Sequence, residues 1–372
     1  MYTHFDKVVY ILKPSVDSYP PCVSQIRILA DLGYNVEVWF GQCGDATLSL
    51  LEANGIKMKR LHFAPDSMKS IIGKIKNWIQ FRQAVLNAMK NDDSSQVLYW
   101  FGTAESAIPL FPLSTKRKMV MSVLELMDDR VFSRVLSAYI ARKCVAVTAC
   151  EENRANIMRF WWKLSETPFI IPNKPYEIRI EANAKPSCDE VENAFKLIGD
   201  RPFIIYQGIF QNLEYISKIA RALNSQPGMP ALVMMGSDRR NIVPHIKQIY
   251  ADTFYIPHIQ SPCHLEITSH AILGIVCYDH SSLNKLYCAP NKIFEYSKFG
   301  IPMLANDVPG LTHTVGFYKA GVCVDFDSQE EVTAGLVELL SNHDYYSNNS
   351  VELYDSVDNT VTIKRLLERA AL

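Results

Sequence analysis

The sequence predicts an α/β protein built from two Rossmann-like domains. Short apolar runs rich in β-branched and aromatic residues alternate with longer segments of helical periodicity, which is typical of βαβ units around a parallel sheet. The alternation stops at a polar stretch, residues 177–200, and begins again at Phe203. The length of 372 residues exceeds a typical single domain and fits two domains of about 150–200 residues each.

The elements follow from these runs in chain order. The candidate strands of the first series are Val8–Leu12, Val36–Phe40, Met58–Leu61, Val97–Phe101, Met119–Leu124, Val145–Thr148 and Phe169–Ile171. Helical patterns lie between them near Val23–Leu32, Met68–Met89, Phe132–Ala141 and Asn153–Trp162. The candidate strands of the second series are Phe203–Tyr206, Ala231–Met235, Thr253–Ile256, Leu273–Val276, Met303–Ala305 and Val322–Val324.

These series set the predicted domain boundaries. Residues 1–175 form the first domain, residues 176–200 a linker with one helix, and residues 201–357 the second domain. In open parallel sheets, ligands bind beyond the carboxyl ends of the strands. We therefore expect the two domains to face each other across a cleft and to present their loops to it.

Composition and charge exclude several classes of protein. The net charge of −1 provides no global basic field, so we expect no nucleic-acid partner. The nine cysteines form no CxxC pair, and several lie in apolar runs, which favours a reducing cytoplasm over a disulfide framework. No signal peptide is visible, and no apolar run approaches the ~18 residues of a spanning helix. We expect a cytoplasmic protein that meets a membrane only from its surface.

Two common kinds of site are absent from the sequence. The loop after the first strand reads Lys-Pro-Ser-Val-Asp-Ser-Tyr-Pro-Pro-Cys, so no glycine-rich dinucleotide cradle follows it, and a dehydrogenase is disfavoured. Neither HExxH nor Asp-x-Asp occurs in the segments predicted to reach the cleft. We therefore expect no metal site.

The segment 284–302 is the most informative part of the chain. Pro290 suits the first turn of a helix, Gly300 supplies its C-terminal stop, and Pro302 prevents continuation. The free amides and the positive dipole end at such a helix start attract phosphate. Lys285 and Lys292 add charge on either side. A buried helix of any α/β protein is the structural alternative.

A resemblance supports the functional interpretation. The run Pro-Asn-Lys-Ile-Phe-Glu-Tyr, followed by Gly-Ile-Pro-Met-Leu-Ala-Asn-Asp, resembles the donor-site signature of retaining glycosyltransferases with two Rossmann-like domains, the GT-B fold. It is most similar to the branch of glycosyltransferase family four that builds bacterial surface polysaccharides such as capsule or O-antigen. The resemblance implies that a helix at 358–372 crosses back to the first domain.

The resemblance also implies roles for residues of this segment. Glu295 matches the second of two glutamates that line the family's nucleotide-sugar site, where it would hold ribose or sugar hydroxyls. Tyr287 stands where the family has the first glutamate, so Tyr287 and Asn284 are expected to face the sugar. Asn291 and Lys292, with the helix start at Pro290, are expected to hold phosphate.

Three further donor-site candidates follow predicted strands. The resemblance implies that Gly208 lets the backbone approach the donor diphosphate, although no Lys or Arg follows it before Lys218. Gly236 ends the next strand and is expected near the nucleotide, with a purely structural turn as the alternative. Tyr278 begins the loop that leads to Asn284, which makes it a candidate for donor contact.

Two features of the first half concern other partners. Glu125, in Met-Ser-Val-Leu-Glu-Leu, resembles the glutamate of a family element and is a candidate to orient an acceptor hydroxyl, with a helix-capping carboxylate as the alternative.

The helical pattern 68–89 carries Met68, Ile72, Ile75, Ile79 and other apolar residues on one face, with lysines around the other. Packing against the core and contact with anionic lipid are both open interpretations.

The sequence thus predicts a retaining, hexosyltransferase-type glycosyltransferase that needs no metal and no cofactor. It would move a sugar from a nucleoside-diphosphate sugar, with a UDP-sugar as the first choice, to a glycan or lipid-linked acceptor. The site would lie in the cytoplasm or at the inner face of the membrane. The alternatives are a non-catalytic GT-B-like binding protein and a nucleotide-sugar 2-epimerase on the same fold.

Overall fold

The computed structural model describes residues 5–63, 71–90, 92, 96–112, 117–176 and 185–371. The described residues divide into two compact units. The first contains the residues up to Tyr176 together with those from Asp358 onward, and the second contains the residues between them, as far as Val357.

The first unit is built on a parallel sheet. Its strands are β1 Lys7–Leu12, β2 Asn35–Phe40, β3 Lys57–Arg60, β4 Val97–Phe101, β5 Lys118–Val123, β6 Ala146–Ala149 and β7 Phe169–Ile170. They are ordered β3-β2-β1-β4-β5-β6-β7, so the direction of the chain across the sheet reverses between β1 and β4. The central strand β4 is buried along its whole length, as expected when helices cover both faces of a parallel sheet.

The second unit contains a second parallel sheet. Its strands are β8 Phe203–Ile209, β9 Ala231–Ser237, β10 Thr253–Ile256, β11 Leu273–Val276, β12 Met303–Asn306 and β13 Gly321–Val324. Their order is β10-β9-β8-β11-β12-β13, with the reversal between β8 and β11. Two clusters of buried apolar side chains cover its faces, one containing Ile205 and Met303 and the other Ile204 and Leu304. Adjacent strand residues therefore point to opposite cores.

Helices connect the strands of both units. The helices of the first unit are α1 Pro20–Asp31, α2 Asp45–Ala53, α3 Ile71–Lys90, α4 Ala104–Ala107, α5 Val131–Ala141, α6 Glu152–Trp162 and α16 Asn359–Ala371. Those of the second are α7 Asp189–Ile198, α8 Leu213–Asn224, α9 Val243–Ile249, α10 His264–Thr268, α11 Leu283–Leu286, α12 Asn291–Lys298, α13 Pro309–Leu311, α14 Gln329–Ser341 and α15 His343–Asp355.

Two Rossmann-like units are present, and every predicted strand is found at its predicted place to within a few residues. The segment 176–200, predicted as a linker with one helix, contains α7, whose Val191 and Ile198 belong to a core of the second unit. Helix α16 packs on α1 in the first unit, where Ile363 and Leu366 are buried.

Helix α3 corrects one interpretation of the sequence. Phe81 and Val85 face the core, but Ile72, Ile75 and Ile79, which the sequence pattern places on the same apolar face as Val85, are exposed. The interpretation that these isoleucines pack against the core is therefore wrong. Met68, the first residue of the predicted pattern, lies outside the described residues.

No helix within the described ranges has both the length and the apolar composition that crossing a bilayer requires. All nine cysteines are free thiols.

Candidate functional site

A cavity of about 220 Å³ lies at the carboxyl ends of β8 and β11. These neighbouring strands are the pair between which the strand order reverses, which is where open α/β sheets bind ligands. The lining residues are Tyr206, Gly208, Ile209, Gln211, Asn212, Cys277, Tyr278, Asp279, Lys285 and Lys292. Gly208, Tyr278, Lys285 and Lys292, all predicted from the sequence, are thus brought together.

Lys292 is the central cation of the cavity. Its Nζ donates a hydrogen bond of 3.0 Å to the Gln207 carbonyl oxygen and lies 5.1 Å from the centre of the Tyr206 ring and 5.8 Å from that of Tyr278. Within the described part of the chain it makes no ion pair. Burial lowers the pKa of this ammonium, although Cys277 and Glu295 oppose the shift. An uncompensated, partly desolvated cation is well suited to an anionic ligand.

Lys285 differs from Lys292 because its charge is paired with a carboxylate. Its Nζ donates a hydrogen bond of 2.7 Å to Asp279 Oδ2. Burial raises the pKa of the Asp279 carboxyl, but the hydrogen bonds from Lys285 and Ser281 outweigh burial and hold that pKa below its ordinary value. The charge of Lys285 is therefore largely matched within the protein, which leaves Lys292 as the stronger site for an anion.

Two helices begin at the cavity. Asn212 is the N-cap of α8, and its side chain accepts a hydrogen bond from the Tyr215 amide. Pro290 is the N-cap of α12, which begins at Asn291, one residue later than predicted. The backbone N–H groups of Asn291 and Lys292 make no hydrogen bond to any described residue. Because helix starts carry free amides and partial positive charge, they reinforce Lys292 as an anion site.

Gly208 and Gly236 form a facing pair on β8 and β9. Both have positive φ, 118° and 142°, a conformation that other residues rarely adopt. A Cβ on Gly236 would lie 1.9 Å from the Gly208 carbonyl oxygen, whereas a Cβ on Gly208 would meet only Lys292 Nζ, at 3.8 Å. Gly236 therefore lets the two strands approach, and Gly208 keeps the space beside Lys292 open.

Glu295 lies in a buried polar network beside the cavity and is only 8% exposed. Its Oε2 accepts a hydrogen bond from Gln207 Nε2, and His264 Nε2 lies 3.6 Å from the same oxygen. Thr268 Oγ1 in turn donates to Gln207 Oε1 over 2.8 Å. The other carboxylate oxygen, Oε1, makes no hydrogen bond with any described residue.

The remaining predicted residues lie outside the cavity lining. Asn284 is in α11 and Tyr287 ends it, and both are half-buried on the segment that leads to Pro290 and Asn291. Glu125 belongs to the first unit, where it is exposed in the loop after β5. It does not cap the next helix, because Arg130 is the N-cap of α5. The roles predicted for these residues remain predictions.

The structure adds Gln207, which the sequence did not single out, and places Arg240, one of two arginines that the sequence offers as compensating charge for Gly208. Gln207 connects the end of β8 to Lys292, Glu295 and Thr268 through its backbone carbonyl and side chain. Arg240 donates a hydrogen bond of 2.7 Å to the Gln211 carbonyl, on the loop that follows Gly208. A basic group therefore reaches this loop from the end of β9, although none follows Gly208 directly in the sequence.

The side chains of the site limit its chemistry. Burial raises the pKa of Cys277 to about 12, so this cysteine is a neutral thiol and not a nucleophile at neutral pH. Across the described ranges, no group of three or more His, Cys, Asp or Glu side chains is placed to hold a metal ion. The arrangement is that of a binding site for an anion beside polar groups.

Solved structures share this architecture. HepE from Anabaena, in complex with UDP and glucose, is 13% identical, with a TM-score of 0.68 over 97% of this chain and 98% of that one. Sucrose-phosphate synthase from Thermosynechococcus elongatus is 14% identical, with the same coverage and TM-score. WaaG, a glycosyltransferase involved in lipopolysaccharide biosynthesis, is 12% identical over 97% and 98%, with a TM-score of 0.60.

Likeness at this level of identity establishes the fold. No protein-family model matches the chain, and a search of curated proteins finds no match. The chain therefore has the GT-B fold of two Rossmann-like units, as predicted. Its assignment to glycosyltransferase family four and to the surface-polysaccharide branch remains a prediction.

Proposed function

We propose that this chain is a glycosyltransferase that moves a sugar from a nucleoside-diphosphate sugar, in the first instance a UDP-sugar, to a glycan or lipid-linked acceptor in polysaccharide assembly. The observation that carries the proposal is the uncompensated Lys292 ammonium in a cavity at the topological switch point, beside two helix starts. HepE, which has this fold, was solved with UDP and with UDP-glucose. The nine free thiols are consistent with a cytoplasmic enzyme.

The site is suited to stabilising a leaving diphosphate. Transfer breaks the bond between the anomeric carbon and the diphosphate oxygen, so negative charge grows on that oxygen in the transition state. Lys292 and the free amides of Asn291 and Lys292 would meet this charge, which is where preorganised groups accelerate a reaction most. In a retaining reaction on one face of the sugar, the leaving oxygen accepts the proton of the acceptor hydroxyl. No protein base and no metal is then required.

The remaining site residues would position the substrates. Glu295 Oε1 is available to a ribose or sugar hydroxyl while Oε2 is held by Gln207. Asn284 and Tyr287 would face the sugar, and Tyr278 would flank the diphosphate above Gly208 and Gly236. In the first unit, Glu125 would orient the acceptor hydroxyl. Positioning of this kind lowers the barrier by fixing the reacting groups before reaction.

A nucleotide-sugar 2-epimerase is the second candidate. The contact between His264 and Glu295, 3.6 Å long, is a histidine–carboxylate pair of the type that proton transfer at a sugar carbon would need. Both side chains are largely buried, however, and the facing oxygen of Glu295 already accepts a hydrogen bond from Gln207. We therefore favour glycosyl transfer. Incubation of UDP-sugars in heavy water tests the alternative, because epimerisation would place deuterium at carbon 2.

Calorimetry with UDP, GDP and dTDP tests the proposal. We expect the chain to bind one of these nucleotides and then to hydrolyse or transfer the matching sugar. Failure to bind any of them would overturn the proposal. Binding without turnover, across a panel of sugar nucleotides and glycan acceptors, would instead identify a non-catalytic GT-B-like binding protein.

A further inference from the structure

The side chain of Asn306 pairs with the backbone of Tyr278. Its Oδ1 accepts a hydrogen bond of 2.8 Å from the Tyr278 N–H, and its Nδ2 donates one to the Tyr278 carbonyl. Asn306 ends β12 and is only 1% exposed. One buried carboxamide therefore satisfies both backbone groups of a single residue. These two hydrogen bonds are termed the Asn306 clamp.

The clamp lies where the regular sheet ends. The backbone ladder between β11 and β12 ends with the pair Val276 and Ala305. Beyond Val276 the chain leaves the sheet and enters the loop that lines the cavity. A carboxamide has a donor and an acceptor, as a peptide group has, so Asn306 continues the pairing after the backbone ladder stops. An apolar side chain at this position would leave the Tyr278 N–H and carbonyl without these partners.

Asn306 is the fixed partner of the clamp. Its strand β12 lies inside the sheet, between β11 and β13, and the register places Asn306 opposite Val324. The following amide, that of Asp307, donates a hydrogen bond of 3.1 Å to the Val324 carbonyl. Tyr278, in contrast, lies in a loop. The sheet therefore holds the carboxamide, and the carboxamide holds the loop.

Tyr278 lines the cavity of the candidate site. The centre of its ring lies 5.8 Å from Lys292 Nζ, and that of the Tyr206 ring lies 5.1 Å from the same atom. The two rings thus flank the cation that is proposed to meet the donor diphosphate. Displacement of Tyr278 would change the shape of the cavity and the surroundings of this ammonium.

The rest of the loop has anchors of its own. Asp279 accepts a hydrogen bond of 2.7 Å from Lys285 Nζ and one of 2.9 Å from the Ser281 N–H. These contacts do not involve Asn306. Loss of the clamp should therefore release Tyr278 without unfolding the whole loop.

We propose that Asn306 is a positioning residue of the donor site, which acts through Tyr278 to set the affinity for a nucleoside diphosphate. This inference rests on the proposed function, because it requires a diphosphate beside Lys292. Asn306 itself is not part of the cavity lining. Its carboxamide fixes the Tyr278 backbone, and the backbone fixes the ring beside Lys292. A site ordered in this way before binding gains affinity, because less ordering is needed when the ligand binds.

Calorimetry and hydrogen exchange on the full chain test the clamp. Asn306→Leu keeps the approximate size of the side chain and removes both hydrogen bonds. We expect the affinity for UDP, or for whichever of the three nucleotides the wild type binds, to fall about five- to tenfold. We also expect the Tyr278 amide to exchange about tenfold faster, as measured by mass spectrometry of peptides that span it. If this variant does not fold, Asn306→Ser, which keeps a hydroxyl, takes its place.

Two comparisons separate positioning from a general loss of stability. Ser350→Ala is the matched control, because the buried Ser350 hydroxyl donates a hydrogen bond of 3.0 Å to the Ile301 carbonyl, just before β12 begins. This control should bind UDP like the wild type. In a Tyr278→Ala background, Asn306→Leu should change the affinity by less than about twofold, because the ring that it positions is already absent.

The outcomes separate the possibilities. Weaker binding and faster Tyr278 exchange in the folded Asn306→Leu variant, with an unaffected control and no further loss in the Tyr278→Ala background, support the clamp. Unchanged affinity, unchanged exchange, or an equal loss in that background overturns it while the proposed function stands. Failure of the wild type to bind any of the three nucleotides overturns the proposed function, and the donor role of Asn306 with it.

Discussion

Lys292 donates its hydrogen bond to the backbone carbonyl of Gln207, the residue that immediately precedes Gly208. The contact places the ammonium of this α12 residue at the end of β8. Its charge therefore lies beside Gly208, which no basic residue follows directly in the sequence. A cation supplied from a helix far along the chain can therefore replace one expected next to Gly208. Arg240, held on the Gln211 carbonyl, adds a second cation to the same loop.

Replacement of Lys292 by Met should weaken UDP binding by about ten- to a hundredfold, the range of a charge-assisted hydrogen bond to an anion. The methionine keeps most of the apolar stem, so the change isolates the charge. Lys298→Met is the matched control, because Lys298 is exposed on the same helix and lies over Tyr354. Calorimetry in which both variants bind UDP like the wild type would contradict the assigned role.

Because β8 and β9 approach each other closely at Gly236, a side chain at this position should destabilise the fold. A Cβ there would overlap the Gly208 carbonyl oxygen, and φ is 142°, so Gly236→Ala should lower the free energy of unfolding by about 2–5 kcal/mol. Gly228→Ala is the control, because Gly228 also has positive φ but nothing near its Cβ position. It should cost only about 1 kcal/mol. Urea denaturation measures both, and equal losses would show that backbone strain alone accounts for the effect.

The fold could be predicted because its signal is local. The central strands are short apolar runs that are buried on both faces, as in Val-Leu-Tyr-Trp-Phe at 97–101, and the break between the two series is a polar segment. The faces of α3 could not be predicted in the same way. The helix carries two apolar stripes, and periodicity does not tell which one the sheet covers. The stripe that is buried even includes Asn77, a polar residue.

The candidate site was predictable only where a residue type has a special backbone or charge role. Gly208 follows a strand directly, and Lys292 lies in a helix start with a recognisable pattern, so both could be singled out. Gln207, His264 and Thr268 could not, because their importance comes from contacts across 31 to 88 positions of sequence. A buried glutamine at a strand end looks like any other polar residue until its partners are known.

The network around Glu295 predicts two separable effects. Glu295→Gln keeps an oxygen that can accept the Gln207 hydrogen bond, so the free energy of unfolding should fall by less than about 1 kcal/mol. Glu295→Ala leaves Gln207 without that acceptor and should cost about 1–3 kcal/mol. Both should weaken nucleotide-sugar binding if Oε1 holds a ligand hydroxyl. Urea denaturation and calorimetry measure the two effects, and undiminished affinity in the folded Gln variant would remove Glu295 from the donor site.

The pKa of Lys292 predicts a pH dependence of nucleotide binding. Burial holds this pKa below the ordinary lysine value of 10.5, so the ammonium loses its proton at a lower pH than an exposed lysine. Diphosphate binding favours the protonated form, and the bound pKa must therefore be higher than the free one. UDP affinity should be constant at neutral pH and then fall by up to about tenfold per pH unit once the pH exceeds the free pKa.

The lowered pKa of Lys292 also affects the stability of the protein without a ligand. Because the pKa of Lys292 is lower in the folded than in the unfolded chain, its charge lowers the free energy of unfolding at every pH below the folded pKa. This cost declines as the pH rises from the folded pKa towards 10.5 and is absent above 10.5. Lys292→Met should therefore be at least as stable as the wild type at neutral pH, while its weaker UDP binding no longer follows the titration of this group. Calorimetry in alkaline buffers of different ionisation enthalpy should detect proton uptake on UDP binding in the wild type. An equal uptake in the methionine variant would assign the titration to another group, and the cation beside Gly208 would then not be the one that meets the diphosphate.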